Sequence, residues 1–409
     1  MTSVMAASDT RAAKALLAVC AAPDADHAKM LSQLTDSGWQ NVATLAIQTR
    51  AVGLMARSIK RCGDVGIVGK DAKDQIAGQA QHDALTVLSQ GEASKRVADV
   101  LRSQGLEGIA LKGFSLAFRD YPDPALRPLR DIDLLFTADD ALKAQQTLLE
   151  HPSFKPRAGV AQYGLDYGHQ LPEIEEISSG LVIELHHRIN ARGWDQEPRL
   201  VEMLRREAET LTLLGAKMLA PSPHCNFLHL VEHAAVHHLF TNGPLVLSDF
   251  HYLASNHEFD WGELLADAQS LGLGRALLLL AHIAHEAGAR WVPDDWLGLD
   301  PVRRELSTQA REALFDTREQ TEQIAMMQRL ADKSEGISGA GGAARRMLRP
   351  SANQLSRLSG HHSDSPLRWL GYPAWLLEKG KRYLTATNDA DNASAIHGRM
   401  QLRRWIKGE

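Results

Sequence analysis

Two short apolar segments separated by a proline-rich loop constrain the fold of this chain most strongly. Residues 109–111 read Ile-Ala-Leu and are followed by Lys-Gly, and residues 131–136 read Asp-Ile-Asp-Leu-Leu-Phe. Both segments have the composition of buried strands. Because side chains alternate across a strand, Asp131 and Asp133 point to one face while the apolar residues between them point to the other. The sequence therefore predicts two carboxylates side by side on one face of a sheet.

Two neighbouring carboxylates indicate a bound cation. Like charges this close raise each other's pKa unless a cation lies between them. Mg²⁺ prefers oxygen ligands and is usually held by one or two carboxylates together with substrate phosphates. Gly113, at the end of the first strand, lets the backbone approach a phosphate, and the helix that follows presents its N-terminal amides. We therefore expect Mg²⁺, or Mn²⁺, and a phosphate group here.

These residues resemble a known signature. Gly-x-Ser followed by Asp-x-Asp resembles the DNA polymerase β-type nucleotidyltransferase superfamily. Leu-Lys-Gly, Tyr-Pro-Asp-Pro, Leu-Arg-Pro and Asp-Ile-Asp-Leu-Leu resemble, more narrowly, a bacterial family of uncharacterised nucleotidyltransferases. The histidine-rich block that begins at Asn226 and the Leu-Ser-Asp that ends at Asp249 are similar to the same family. The resemblance implies transfer of a nucleoside monophosphate from an NTP to an acceptor hydroxyl, with two divalent metals and release of pyrophosphate.

The resemblance also implies catalytic residues. Asp131 and Asp133 would bridge the metals, and a third carboxylate is expected on a later strand with apolar neighbours. Residues 182–186, Val-Ile-Glu-Leu-His, match that form, so Glu184 would complete the metal site and accept the proton of the hydroxyl. Alternation places Glu184 and His186 on one face. Three other glutamates lie close by in the sequence: Glu173, Glu175 and Glu176.

A second set of residues is expected to bind the nucleotide. By resemblance, the backbone at Gly113 and the hydroxyl of Ser115 would seat the triphosphate, although Phe114 departs from the usual superfamily pattern. Lys112 is either a phosphate contact or a lysine that reaches solvent from a strand end. Arg127 and Arg130 are expected to contact phosphate, because the planar guanidinium suits phosphate oxygens. The alternative for both arginines is a structural ion pair with the two aspartates of the second strand. The expected nucleotide-binding residues are Lys112, Gly113, Ser115, Arg127 and Arg130.

A histidine-rich helix offers a different chemistry. His229-x-x-Glu232-His233 matches the motif of inverted zinc peptidases, which makes a zinc metallohydrolase one alternative function. A non-catalytic nucleotide-binding module is another. Histidines four residues apart on one helix face also suit a structural stripe or the wall of an acceptor pocket. The candidates for that pocket are His233 and His237 of the helix and His186 of the strand.

The helical and strand patterns predict an α+β protein. The patterns give a small mixed sheet flanked by helical segments at both ends, and the resemblance implies that this sheet belongs to a polymerase β-like nucleotidyltransferase core. The predicted domains are an N-terminal helical segment (1–105), the nucleotidyltransferase core (106–192), a helical domain (193–335) and a linker with a basic C-terminal segment (336–409).

Composition indicates the class of protein and its cellular compartment. With 44% hydrophobic and 23% charged residues, and no apolar run of membrane-spanning length, the chain reads as a globular protein. Its three cysteines are widely spaced and form no disulfide framework, which favours a reducing cytoplasm. The acceptor, whether sugar, peptide or RNA, and the oligomeric state stay open.

Charge is unevenly distributed. The whole chain carries −5, but residues 341–409 carry +7, which leaves −12 on the remainder. This basic C-terminal segment is expected to dock onto the acidic body of its own protein, to bind RNA, or to hold an anionic membrane surface.

Overall fold

The computed structural model describes most of the chain. The described residues are 7–63, 69–160, 163–165, 168–190, 194–213, 215–299, 304–316, 321, 350, 352–361, 365–378 and 390–408. Residues 336–344, the first part of the predicted linker and basic C-terminal segment, lie outside these residues.

Helices precede and follow a central group of strands. The principal α-helices are α1 (Ala7–Ala21), α2 (Ala28–Leu31), α3 (Asp36–Gln48), α4 (Val52–Arg61), α5 (Lys70–Ser103), α6 (Lys112–Arg119), α7 (Ala138–Glu150), α8 (Glu197–Arg206), α9 (Pro223–Val231), α10 (Leu245–Asn256), α11 (Trp261–Ser270), α12 (Gly274–Glu286), α13 (Arg304–Ala313), α14 (Ala352–Ser359) and α15 (Ala390–Lys407). Among the described residues, none of the helices has the length and apolar character needed to cross a membrane.

The strands form one mixed sheet. They are β1 (Ile109–Leu111), β2 (Asp131–Leu135), β3 (Phe154–Pro156), β4 (Ile174–Glu176), β5 (Val182–His186), β6 (Glu209–Leu213) and β7 (Ala216–Ala220). Their order across the sheet is β3-β4-β5-β2-β1-β7-β6. Strand β2 runs antiparallel to β1 and parallel to β5, while β1 runs parallel to β7. A mixed sheet with flanking helices confirms the predicted α+β class.

Alternation along β2 and β5 separates the core from the site. Ile132 and Leu134 of β2, with Ile183 of β5, are buried in an apolar cluster that includes residues of α5 and α7. The acids of β2 therefore point to the opposite face. In the parallel register Asp133 lies directly opposite Glu184, so the fold brings two carboxylates together from strands far apart in sequence.

A hairpin lies where the sequence predicted helices. Strands β6 and β7 pair antiparallel at residues 209–220, inside the segment 193–335 that we expected to be helical throughout, so that prediction is wrong there. The segment Glu-Thr-Leu-Thr-Leu alternates as a strand does, and Gly215 has the positive φ of 82° that a tight turn favours. Pairing of β7 with β1 extends the sheet beyond the predicted boundary at residue 192.

The described end of the basic C-terminal segment packs against the body of the protein. Helix α15 contacts α13 and α12. Arg399 of α15 is buried and donates to both carboxylate oxygens of Asp316, at 3.1 Å each from Nη2. The guanidinium of Arg275 lies 5.7 Å from the centre of the Trp405 ring. Six of the twelve basic residues of segment 341–409 lie outside the described residues, so RNA binding by it stays a prediction.

Candidate active site

Asp133 lies at the centre of a buried polar cluster. Lys112 Nζ donates to Asp133 Oδ1 at 2.7 Å, and His186 Nε2 lies 2.8 Å from the same oxygen. His186 Nε2 is also 3.3 Å from Glu184 Oε2. The sheet explains the cluster, because Lys112 follows β1, Asp133 lies on the neighbouring β2, and Glu184 and His186 share one face of β5. His186 thus lies with the acids, next to the position expected for the metals.

The charges of this cluster are unequally balanced. Burial opposes the ionisation of Asp133, but Lys112 and His186 outweigh it and hold the pKa of Asp133 well below its usual range. Burial and the nearby carboxylates of Asp133 and Glu184 raise the pKa of Asp131 to about 7. The negative charge of Asp131 is therefore the less compensated of the two.

The residues present fit a divalent cation. Ligand atoms of Asp133, Glu184 and His186 all lie within 4.8 Å of one another, and Asp131 flanks them on β2. Carboxylate oxygens are the donors that Mg²⁺ and Mn²⁺ prefer. A cation at this position would also relieve the repulsion that raises the pKa of Asp131.

This imbalance predicts a pH-dependent stability of the metal-free protein. Because the folded pKa of Asp131, about 7, exceeds the unfolded value of about 3.9, its contribution to stability is complete below about pH 4 and is lost as pH rises through 7. Asp131→Asn does not titrate, so in EDTA it should exceed the wild type in unfolding free energy by up to about 4 kcal/mol at pH 8. Urea unfolding at pH 8 and pH 4.5 measures the difference. An equal difference at both pH values would contradict this account of Asp131.

The first turn of α6, which directly follows β1, contains three of the expected phosphate-binding residues, Lys112, Gly113 and Ser115. Lys112 has φ 53°, a left-handed conformation that non-glycine residues rarely adopt. A Cβ on Gly113 would lie 3.3 Å from Nη1 of Arg127, so glycine lets the guanidinium approach the backbone closely. Ser115 is buried and its hydroxyl donates to the carbonyl of Lys112 at 3.1 Å. The hydroxyl therefore supports the turn in this structure.

The side chain of Arg127 is engaged with the helix α10. Its Nε and Nη2 donate to the two carboxylate oxygens of Asp249 at 2.7 and 3.0 Å. Tyr121 also donates to Asp249, at 2.7 Å. The acid that pairs with Arg127 is thus Asp249, and not Asp131 or Asp133 as the ion-pair alternative supposed. Arg130, the other predicted phosphate contact, is exposed at the mouth of a cavity.

We expect the pair of Arg127 and Asp249 to matter for stability. Asp249→Ala leaves the guanidinium of Arg127 buried without its carboxylate, which should lower the unfolding free energy by about 3–5 kcal/mol. Urea unfolding at neutral pH measures the loss. As a control, Lys155→Ala breaks an exposed pair with Glu175 and should cost less than about 1 kcal/mol. An equal loss of unfolding free energy in the two variants would show that the buried pair stabilises the protein no more than the exposed one.

Most of these groups line one cavity of about 1040 Å³. Carboxylates of β2 and β5, several arginines and several histidines contribute to its lining. The polar residues that line it include Arg50, Lys112, Arg127, Arg130, Asp131, Asp133, Arg157, His169, Glu184, His233, His237, His238, Asn242 and Asp249. A cavity of this size accommodates a nucleotide and part of a second substrate.

Comparison with known proteins assigns the family. The family described as an uncharacterised nucleotidyltransferase matches residues 35–288, well over half of the chain. The chain belongs to this family. The match runs from α3 to α12, so it contains the whole sheet and most of the cavity lining. Neither the curated proteins nor the solved structures yielded a match.

The histidines of this nucleotidyltransferase line the cavity through a local change in helix type. After α9 the backbone continues as a π-helix over Glu232–His237, with a hydrogen bond from His238 N–H to the carbonyl of His233 five residues earlier. This spacing brings Nε2 of His238 to 3.1 Å from Nε2 of His233. Burial and the neighbouring histidines lower the pKa of His233 well below its usual value, so it is neutral at pH 7. Single π-turns are frequent at functional sites.

The zinc-peptidase motif does not assemble into a metal site. His229 is fully buried, and neither of its ring nitrogens has a hydrogen-bond partner among the described residues. Glu232 accepts a hydrogen bond from Asn190 at 2.6 Å. Within the part of the chain that the structure describes, His229, Glu232 and His233 do not form a group of three potential metal ligands. This weighs against the zinc metallohydrolase.

The sequence predictions missed several polar residues of the cavity, among them Asp249, His169 and Arg50. Asp249 was quoted only for its family resemblance, although that resemblance was a usable signal. His169 lies between His186 and His237, with ring centres 5.1 and 5.4 Å away, and had no motif around it. Arg50 comes from the turn between α3 and α4, which the sequence presents as ordinary helical packing.

Proposed function

We propose that this protein transfers a nucleoside monophosphate from an NTP to an acceptor hydroxyl. The hydroxyl oxygen attacks the α-phosphorus, the bond from that phosphorus to the bridging oxygen breaks, and pyrophosphate leaves. The hydroxyl proton passes to a carboxylate of the site. The observation that carries the proposal is the register of β2 and β5, which sets Asp133 beside Glu184 and next to Asp131 at the wall of a nucleotide-sized cavity.

Each acid has a distinct role in this proposal. Asp131, Asp133 and Glu184 would hold Mg²⁺ or Mn²⁺, which supplies neutralisation of charge at the transferred phosphorus when bound. Glu184 lies at the outer edge of the cluster, is part-exposed to the cavity and accepts the hydroxyl proton. Asp133 is the buried anchor, held by Lys112 and His186.

Lys112 and Gly113 position the phosphates. The ammonium of Lys112 fixes Asp133 and places one positive charge between the acids and the turn that follows β1. The backbone of Gly113 leaves room at this turn for a phosphate oxygen to approach. The hydroxyl of Ser115 keeps the turn in shape through its bond to Lys112.

The acceptor would enter past the histidines. His233 and His237 line the cavity, and the imidazole of His233, neutral at pH 7, suits hydrogen bonding to a hydroxyl-rich acceptor. A sugar, a peptide or RNA each offers such a hydroxyl. A non-catalytic binding module is less well supported, because all three acids line the cavity and two of them, Asp133 and Glu184, form with His186 a group that could hold a metal ion.

A ligand screen tests this function. ATP, GTP, CTP and UTP with Mg²⁺ are compared in a thermal-shift assay, and mass spectrometry then follows candidate acceptors. The proposal predicts that at least one NTP raises the melting temperature only with Mg²⁺ and that the acceptor gains the mass of a nucleoside monophosphate. A gain equal to a single phosphate would contradict it.

A further inference from the structure

Helix α3 ends in a turn that usually contains glycine. The N–H of Ala51 donates to the carbonyl of Ala46 at 2.8 Å, and the N–H of Arg50 donates to the carbonyl of Ile47 at 3.1 Å. These two bonds define a Schellman motif, in which the residue after the C-cap adopts the left-handed conformation. Arg50 holds that position with φ 62°. Arginine at this position makes the folded protein less stable than glycine would, because its backbone is strained at positive φ. Backbone strain of this kind persists mainly at functional sites.

The side chain of Arg50 enters the cavity. Its Nη1 donates to the carbonyl of Pro128 at 3.3 Å, in the loop that precedes β2. Arg127 and Arg130 belong to the same loop and line the same cavity. Burial and the positive charges of these two arginines lower the pKa of Arg50 to about 9. The three side chains thus concentrate positive charge in one wall.

The three arginines differ in how far their charge is balanced. Two of the three nitrogens of the Arg127 guanidinium already donate to Asp249. Arg130 is exposed to solvent. Among the described residues, the hydrogen-bond partner found for Arg50 is a neutral carbonyl, and Asp131 and Asp249 offset only part of its burial and repulsion. Arg50 is therefore the part-buried cation of this wall that most needs an anion.

We propose that Arg50 binds the polyphosphate of the nucleotide, an inference that rests on the proposed function. A nucleotide with its cation at Asp131 and Asp133 would direct its polyphosphate away from these acids, which repel it, and toward the arginines of the same cavity. The planar guanidinium is suited to two phosphate oxygens at once. The N-terminal helices then contribute a ligand-binding residue in addition to packing against the core.

The test uses the full-length protein and magnesium tripolyphosphate, with non-hydrolysable analogues of the four NTPs as further probes. Calorimetric titration compares the wild type with Arg50→Gly, Arg50→Gln and Arg50→Lys. The control is Arg61→Gln, an exposed arginine of α4 that pairs with Asp24. Arg50→Gly and Arg50→Gln should bind at least about tenfold more weakly, Arg50→Lys should be intermediate, and the control should match the wild type.

The melting temperature distinguishes a loss of phosphate binding from a loss of structure. Because glycine adopts the left-handed conformation without strain, Arg50→Gly should melt at or above the wild-type temperature while its affinity falls. Affinities of Arg50→Gly and Arg50→Gln within twofold of the wild type would overturn the role of Arg50 and leave the proposed function standing. So would a loss confined to Arg50→Gly and accompanied by a lower melting temperature. A wild type that binds neither tripolyphosphate nor any NTP analogue would overturn both.

Discussion

Asp133→Asn should abolish nucleotide transfer, with kcat reduced by about 10³-fold or more, and Asp131→Asn should do the same. Each variant removes a negative ligand from a divalent cation whose charge neutralisation is worth several kcal/mol in the transition state. Steady-state release of pyrophosphate measures the effect once an NTP and an acceptor are known. Activity within tenfold of the wild type in both variants would end the metal-site interpretation of these acids.

The two variants should change the stability of the protein in opposite directions. Loss of activity in both of them could then not be explained by unfolding. Asp133 is buried and balances Lys112 and His186, so Asp133→Asn should lower the melting temperature of the metal-free protein. Asp131 is repelled by its neighbours, so Asp131→Asn should raise it at pH 8. From the sequence alone, relief of repulsion is expected for both acids. Because Asp133 pairs with Lys112, we expect Asp133→Asn to lower the melting temperature instead of raising it.

Glu184→Gln should depress the chemical step while NTP binding stays nearly constant. A group that accepts the hydroxyl proton acts mainly in the transition state and typically contributes about 10²–10⁴-fold to the rate. We expect kcat to fall in this range and the Kd of the NTP to change by less than about threefold. Single-turnover rates and equilibrium titration give the two quantities separately.

Glu175→Gln is the matched control for this experiment. Glu175 lies on the neighbouring strand β4 and pairs with Lys155, away from the acid cluster. Its substitution should leave kcat within about twofold. An essential Glu175 with a dispensable Glu184 would mean that the third carboxylate has been assigned to the wrong strand.

Much of the site could be anticipated because the relevant signals are local. Period-two alternation places Asp131 and Asp133 on one face, and the same rule pairs Glu184 with His186. The family followed from short motifs, and the α+β class followed from the succession of helix-like and strand-like patterns. The same alternation was present in residues 209–213, but their position after the core led us to predict helix there instead of β6.

The remaining features depend on contacts between distant segments. Nothing local in the sequence of Arg127 indicates that it pairs with Asp249, since the partner lies on another element more than a hundred residues away. The pairing of Lys112 with Asp133 follows from strand order, which short-range patterns do not determine. Arg50 has no glycine-like signal for its left-handed conformation, and its side chain reaches the cavity only in the folded protein.

The most direct test of the central claim is anomalous diffraction from crystals grown with Mn²⁺ and a non-hydrolysable analogue of whichever NTP stabilises the protein. The account predicts Mn²⁺ ligated by carboxylate oxygens of Asp131, Asp133 and Glu184, with the triphosphate between Gly113 and Arg50. Nucleotide bound elsewhere, or Mn²⁺ held at His229 and His233 with the three acids vacant, would contradict it.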